Sequence, residues 1–273
     1  VEITAGNGIQ GNERRWVAGY KSPAVNPRPG RAASKSKARR KQMANVITGE
    51  REMAVVAAPQ LGVATRKYAV EVIGTFFLVF TVAVSVLSHS TYTPFAAGAV
   101  LMVMVYAGGH ISGGHYNPAV TMAALLRRRI GIGDAVAYWI AQIAAGLIAG
   151  VVARAVVNPA TVTALHPSGH ALAATAVVEF LFTFALCYVV LNVATSKDQE
   201  GNSFFGLAIG FTVLAGAFAV GGISGGAFNP AVTFGAAAGG LFAWSTLWVY
   251  IVVQAVAGIA AGLTFRALNP ADK

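Results

Sequence analysis

Two asparagines, Asn117 and Asn229, each head an Asn-Pro-Ala triplet (Pro118-Ala119 and Pro230-Ala231), and each triplet follows a Gly/Ser-rich stretch. A side-chain amide offers two N–H donors and one carbonyl acceptor, without charge. Two carboxylates, Glu71 and Glu179, and two further amides, Gln142 and Gln254, also stand inside apolar runs. There is no Ser/His/Asp constellation at motif spacing, no metal cluster and no phosphate-binding glycine loop, so no enzyme, metal site or cofactor is expected. The single cysteine, Cys187, lies in an apolar run and reads as a small buried hydrophobe.

The elements that must position these residues are membrane spans. The chain is 56% apolar and 11% charged over 273 residues, against about 25% charged in a soluble domain. Six stretches approach the ~20 residues a crossing needs. They are Tyr68 to Leu87, Phe95 to Gly109, Ile132 to Ala153, Ala171 to Val193, Phe204 to Val220 and Leu241 to Phe265. Two apolar segments, Asn117 to Leu126 and Asn229 to Ala238, are too short to cross. Asn suits an N-cap and Pro the first helical turn, so each reads as a half-helix entered from a loop. Irregular backbone at membrane depth is tolerated where protein covers it or where it lines a watery path.

The chain repeats itself. GHISGGHYNPAVT from Gly109 matches GGISGGAFNPAVT from Gly221 at ten of thirteen positions, an offset of 112. At that offset Gln142 corresponds to Gln254, and the span containing Glu71 aligns with that of Glu179 at an offset of 108. Each repeat has three crossings, an odd number, so the second enters from the opposite face and a pseudo-two-fold axis lies in the membrane plane. The half-helices then meet near the middle. Acids at matching positions suggest a shared structural task, accepting hydrogen bonds from the loops' backbone N–H groups, rather than proton coupling.

Net charge is +10, and residues 1–67 carry thirteen of the twenty Lys and Arg. This segment reads as a basic, disordered extension without the interleaved aromatics of a nucleic-acid binder, and no nucleic-acid partner is expected. Its run Lys35 to Lys41 suits anionic headgroups. The first 60 residues do not read as a signal peptide, because no apolar core follows the basic part. Arg127, Arg128, Arg129, Lys197 and Arg266 fall on one side of the membrane with this extension. Positive charge marks that side as cytoplasmic and holds both termini there. Arg154, at the far end of the third span, is the exception, facing protein or snorkelling outward. The expected organisation is the extension at 1–67, a six-span membrane domain at 68–266 with repeats at 68–156 and 171–266, and a short tail at 267–273.

With paired Asn-Pro-Ala motifs, the HISGGHYNPAVT string, the span acids and the span glutamines, residues 68–266 resemble the aquaporin family of major intrinsic proteins. The resemblance implies an all-α membrane protein, a right-handed bundle of six spanning helices and two re-entrant half-helices. It also implies a homotetramer in the cell membrane, each subunit passing water or small uncharged solutes such as glycerol. Asn117 and Asn229 would line the midplane, with Glu71, Glu179, Gln142 and Gln254 supporting the loops. By spacing from the motifs, the family's outer constriction falls on Ala97, Ala217, Gly226 and Val232. The family's usual Arg is Val232 here, so the ring is expected to be wide and apolar. His110, His115 and Tyr116 fall near the inner mouth, as pore lining or as loop packing. Two other readings stand beside the channel: a secondary transporter, since broken helices and inverted repeats occur there too, and a structural membrane protein with a closed pore.

Overall fold

The computed structural model describes residues 61–272, together with residues 36, 37, 39–41 and 43. Most of the basic extension, including part of the Lys35 to Lys41 run, lies outside the described residues.

Among the described residues six helices are long and apolar enough to cross a membrane. In chain order the helices are α1 (Val63–Leu87), α2 (Thr93–Ser112), the half-helix α3 (Pro118–Leu126), α4 (Ile132–Val157), α5 (Gly169–Thr195), α6 (Phe205–Ser224), the half-helix α7 (Pro230–Ala238) and α8 (Leu247–Leu268). The second span, which looks short in sequence, gains its first turn from Thr93-Pro94 and its last from the glycines, reaching 20 residues. At 1.5 Å per residue that is about 30 Å, the thickness of a hydrocarbon core. The sixth span starts later than the apolar run from Leu241 predicts. Gly240 turns the backbone to φ +80°. Leu241 then accepts from Leu165 N–H at 2.7 Å and Ala243 donates to Leu165 at 3.0 Å. Those residues serve the loop opposite the arginine-bearing side, and hydropathy alone does not separate them from the helix.

Helices cross where side chains are absent. A Cβ on Gly98 of α2 would come within 2.7 Å of the Gly210 carbonyl oxygen of α6, and one on Gly210 within 2.5 Å of the Gly98 oxygen. These two glycines are repeat mates, so the helices touch on the pseudo-two-fold axis. Gly146 and Gly150 of α4 abut the Ala231 and Gly235 carbonyls of α7, and their mates Gly258 and Gly262 of α8 abut the Ala119 and Ala123 carbonyls of α3. Small residues four apart let backbones approach where no hydrophobic drive between helices exists. The outer face is the reverse of a soluble protein's. Phe77, Ile140, Leu181, Phe211, Trp248 and Leu263 are exposed, while Glu71, Gln142, Glu179 and Gln254 are fully buried. Such a surface is solvated by lipid.

Arg154 is exposed but bound back to the protein: its Nη1 donates to the carbonyl of Gly239, the buried C-cap of α7, at 3.1 Å. On the other side Arg127 stacks over Phe265 at 4.6 Å and pairs with Asp272 at 2.6 Å. Asp272 also accepts from Lys197 N–H at 3.0 Å. Burial raises the Asp272 carboxyl, but that hydrogen bond, those from Ser196 and Arg127 and the Arg127 charge outweigh it and hold it below the usual carboxylate range. The tail residue thus fastens the exit of α3 to the end of α5, a role its sequence position does not announce.

Candidate pore

Each half-helix is built by the same local chemistry. Helices α2 and α6 end on Gly113 and Gly225, whose φ of +90° and +84° only glycine adopts freely. The chain then turns back into the bundle, and the residue before each Asn is left-handed too: Tyr116 and Phe228 both have φ +48°. A non-glycine residue in that region is strained by roughly 1–3 kcal/mol and persists when its surroundings over-determine it. Here the buried carboxylates do so. Glu71 accepts from Tyr116 N–H at 2.7 Å, His115 N–H at 3.0 Å, Ser112 Oγ at 2.7 Å and Gln142 Nε2 at 2.9 Å. Glu179 accepts from Phe228 N–H at 2.8 Å, Ala227 N–H at 3.0 Å, Ser224 Oγ at 2.7 Å and Gln254 Nε2 at 2.9 Å. Both acids therefore have every near donor committed to loop geometry.

The asparagines tie the two halves together. Each Oδ1 accepts from the N–H two residues on, Ala119 at 2.8 Å and Ala231 at 2.9 Å. Each Nδ2 donates across the axis: Asn117 to the Phe228 carbonyl and Asn229 to the Tyr116 carbonyl, both at 2.9 Å. One N–H of each amide remains for a passing molecule. Both half-helix N-termini point at this level, so their dipoles make the midplane positive. The Asn-Pro-Ala residues are all buried.

An internal cavity of about 30 Å³ runs past the asparagines, space for on the order of two waters. Its sixteen lining residues fall into eight repeat-related pairs. Five pairs are identical: Leu78 with Leu186, Val82 with Val190, Gly114 with Gly226, Asn117 with Asn229, and Val120 with Val232. Three differ: Ala97 with Ile209, Leu101 with Val213, and His115 with Ala227. Of the four residues assigned to the outer constriction by spacing, Ala97, Gly226 and Val232 line this cavity. Ala217, one turn beyond Val213 along α6, adjoins Gly226, its Cα 3.5 Å from where a Gly226 Cβ would sit, and the α6 lining of this cavity comes from Ile209 and Val213. Phe228, which could have refilled the ring, is buried against Phe182 at 5.4 Å, and Phe218 is exposed on the outer face.

The three inner-mouth residues separate. Tyr116 is packing, its hydroxyl donating to the Met104 carbonyl at 3.0 Å. His110 lines a vestibule of about 1080 Å³ on the arginine-bearing side. His115 lines both the vestibule and the internal cavity. Sequence reasoning missed Val82, Leu186, Val190 and Ile209. The repeat offset alone would have found Ile209, as the mate of Ala97; Val82 and Val190 are each other's mates, and Leu186 pairs with Leu78, which the motifs do not single out either.

Six spans, two re-entrant half-helices and an uncharged path between their N-termini define a multi-pass membrane channel of the inverted-repeat type. The sequence pattern of the major intrinsic proteins matches residues 62–265, and the chain belongs to that family. It is 34% identical to the probable aquaporin NIP4-2 of Arabidopsis thaliana, over 82% of each chain. It is 39% identical to the glycerol uptake facilitator protein-like 6 of Lactiplantibacillus plantarum, over 76% of this chain and all of that one. The fold superposes on the aquaglyceroporin from Plasmodium falciparum with a TM-score of 0.65 at 19% identity, covering 74% and 95% of the two chains.

Proposed function

We propose that this protein conducts water together with small uncharged solutes of glycerol size, passively, as a homotetramer in the cell membrane with both termini cytoplasmic. The observation that carries the reading is the wall of the internal cavity. It is apolar except for Asn117, Asn229, His115 and loop backbone, and Val232 stands where the family's usual Arg would narrow and charge the path. Kinship with a glycerol uptake facilitator-like protein and with plant aquaporins supports the solute range. The intramembrane acids that an ion-coupled transporter would use, Glu71 and Glu179, are committed to the loops. Purified protein in liposomes, shocked osmotically without any ion gradient, is expected to pass both water and glycerol. Water flux with no glycerol flux would remove glycerol from the reading.

Cation exclusion then rests on the midplane. Asp at either asparagine replaces an amide donor by a carboxylate facing a carbonyl and offsets the half-helix dipoles. Asn229→Asp is expected to leak more cations than Asn117→Asp, because its half of the path ends in Val232 and Ala227, with no basic side chain. Bilayer conductance checks this. Equal background currents from both variants, with water flux retained, contradict it.

A further inference from the structure

The pseudo-two-fold axis gives every residue of the outer ring a mate on the arginine-bearing side, and the mates are larger. Ile209 stands for Ala97 and Val105 for Ala217, while Gly114 and Val120 repeat Gly226 and Val232. His115 stands for the adjacent Ala227. One lining pair runs the other way, Leu101 against Val213. It lies closer to the asparagines, a full turn deeper along α2 and α6 than Ala97 and Ile209. The cavities agree with the side chains. The wide vestibule and the narrow internal cavity have His115 and Val190 in common, so the path contracts at their level. Val105 belongs to the vestibule wall and Ile209 to the internal one.

His115 also supplies that level with a fixed polar atom. Its Nδ1 lies 3.0 Å from Thr121 Oγ1. The Thr121 hydroxyl donates to the Asn117 carbonyl at 3.1 Å and accepts from Gln142 Nε2 at 3.0 Å. Assigning the hydroxyl hydrogen to the Asn117 carbonyl places the imidazole proton on Nδ1 and leaves Nε2 as an acceptor. The ring is held edge-on to Tyr138 at 5.2 Å. An apolar ring with one fixed acceptor suits a slender solute that turns a hydroxyl to one side and CH groups to the other.

We propose that the size limit of this channel is set by this inner ring, Val105, Val120 and Ile209 with His115, and that its preferred solutes are water and short linear polyols. The inference rests on the passive-channel reading above. Narrow places along a pore add as resistances in series, so widening the tightest one raises flux more than widening any other. The test is the permeability of glycerol and of the four-carbon polyol erythritol, each relative to water, in liposomes holding wild type, Ile209→Ala, or the outer-ring change Val232→Ala. Ile209→Ala is expected to raise the erythritol-to-water ratio about fivefold, and Val232→Ala by less than half as much. Ile209→Val, milder for the fold, is expected to change it in the same direction by a smaller factor and serves if the alanine variant does not assemble. Equal effects, a larger effect at Val232, or no effect at Ile209 in either variant overturns the proposal. Absence of water flux in the wild type overturns the passive-channel reading instead.

Discussion

Replacing Glu179 by alanine is expected to prevent assembly of a stable channel. The substitution strips the acceptor from two backbone N–H groups, a hydroxyl and an amide at once, at a position with no exposed surface. Ser224 and Gln254 can rotate in search of other partners. The N–H groups of Ala227 and Phe228 cannot, because the loop that carries them is fixed by Gly225 and by the left-handed Phe228. A buried donor left without a partner costs about 1–3 kcal/mol, so the two backbone groups alone cost roughly 2–6 kcal/mol. That is a large part of the ~5–15 kcal/mol by which folded domains are held. Glu71→Ala is expected to behave alike, since Glu71 meets the same four kinds of donor. Glu179→Gln should be intermediate: it keeps the shape and one acceptor, but turns an NH₂ toward an N–H. Thermal unfolding in detergent with size-exclusion chromatography measures all three. An alanine variant melting within about 2 °C of wild type, less than 1 kcal/mol for a domain of this size, and still conducting water would show that the carboxylate does not hold the loop.

Val232→Arg is expected to cut the glycerol-to-water permeability ratio about tenfold or more, an added barrier of about 1.4 kcal/mol for glycerol over water. Valine at this position ends an apolar wall with Ala97 and Gly226. Arginine is longer, always charged, and carries five N–H donors. It would replace the inner ring as the narrowest point and would lower any cation leak as well. The danger is a lone charge without an acceptor, since neither Gly226 nor Ala217 has a polar side chain. Melting temperature and oligomeric state of the variant therefore come first. A stable, assembled variant with an unchanged ratio would mean that position 232 does not face permeating solute.

How much of this was legible beforehand follows from what each feature depends on. The spans, the half-helices and the inverted relation of the repeats are properties of residue order. Apolar length calls for a crossing, Asn-Pro ahead of a short apolar run favours a helix start (the same dipeptide ends helices at Asn158-Pro159 and Asn269-Pro270), and three crossings reverse the second repeat. The pairing of Glu71 and Glu179 with the loop N–H groups was also readable, because a buried acid at matching places in both repeats requires matching donors. Helix ends were less so. Leu241 to Ala243 are apolar like a span, and only the Gly240 turn and the bonds to Leu165 assign them to a loop.

By itself, then, the sequence determined the class of molecule: its membrane crossings, its symmetry and the two amides at its centre. The tertiary structure decided which side chains the path meets. Ile209 and Val213 supply the α6 wall of the internal cavity, and His115 separates from its neighbours His110 and Tyr116 to stand between two cavities. The reason is geometric. A helix places successive residues about 100° apart, 3.6 to the turn, so which residue faces the pore depends on how each helix is rotated in the bundle. That rotation is set by the close contacts of Gly98 with Gly210 and of Gly146 and Gly258 with the half-helices, which join residues far apart in the chain.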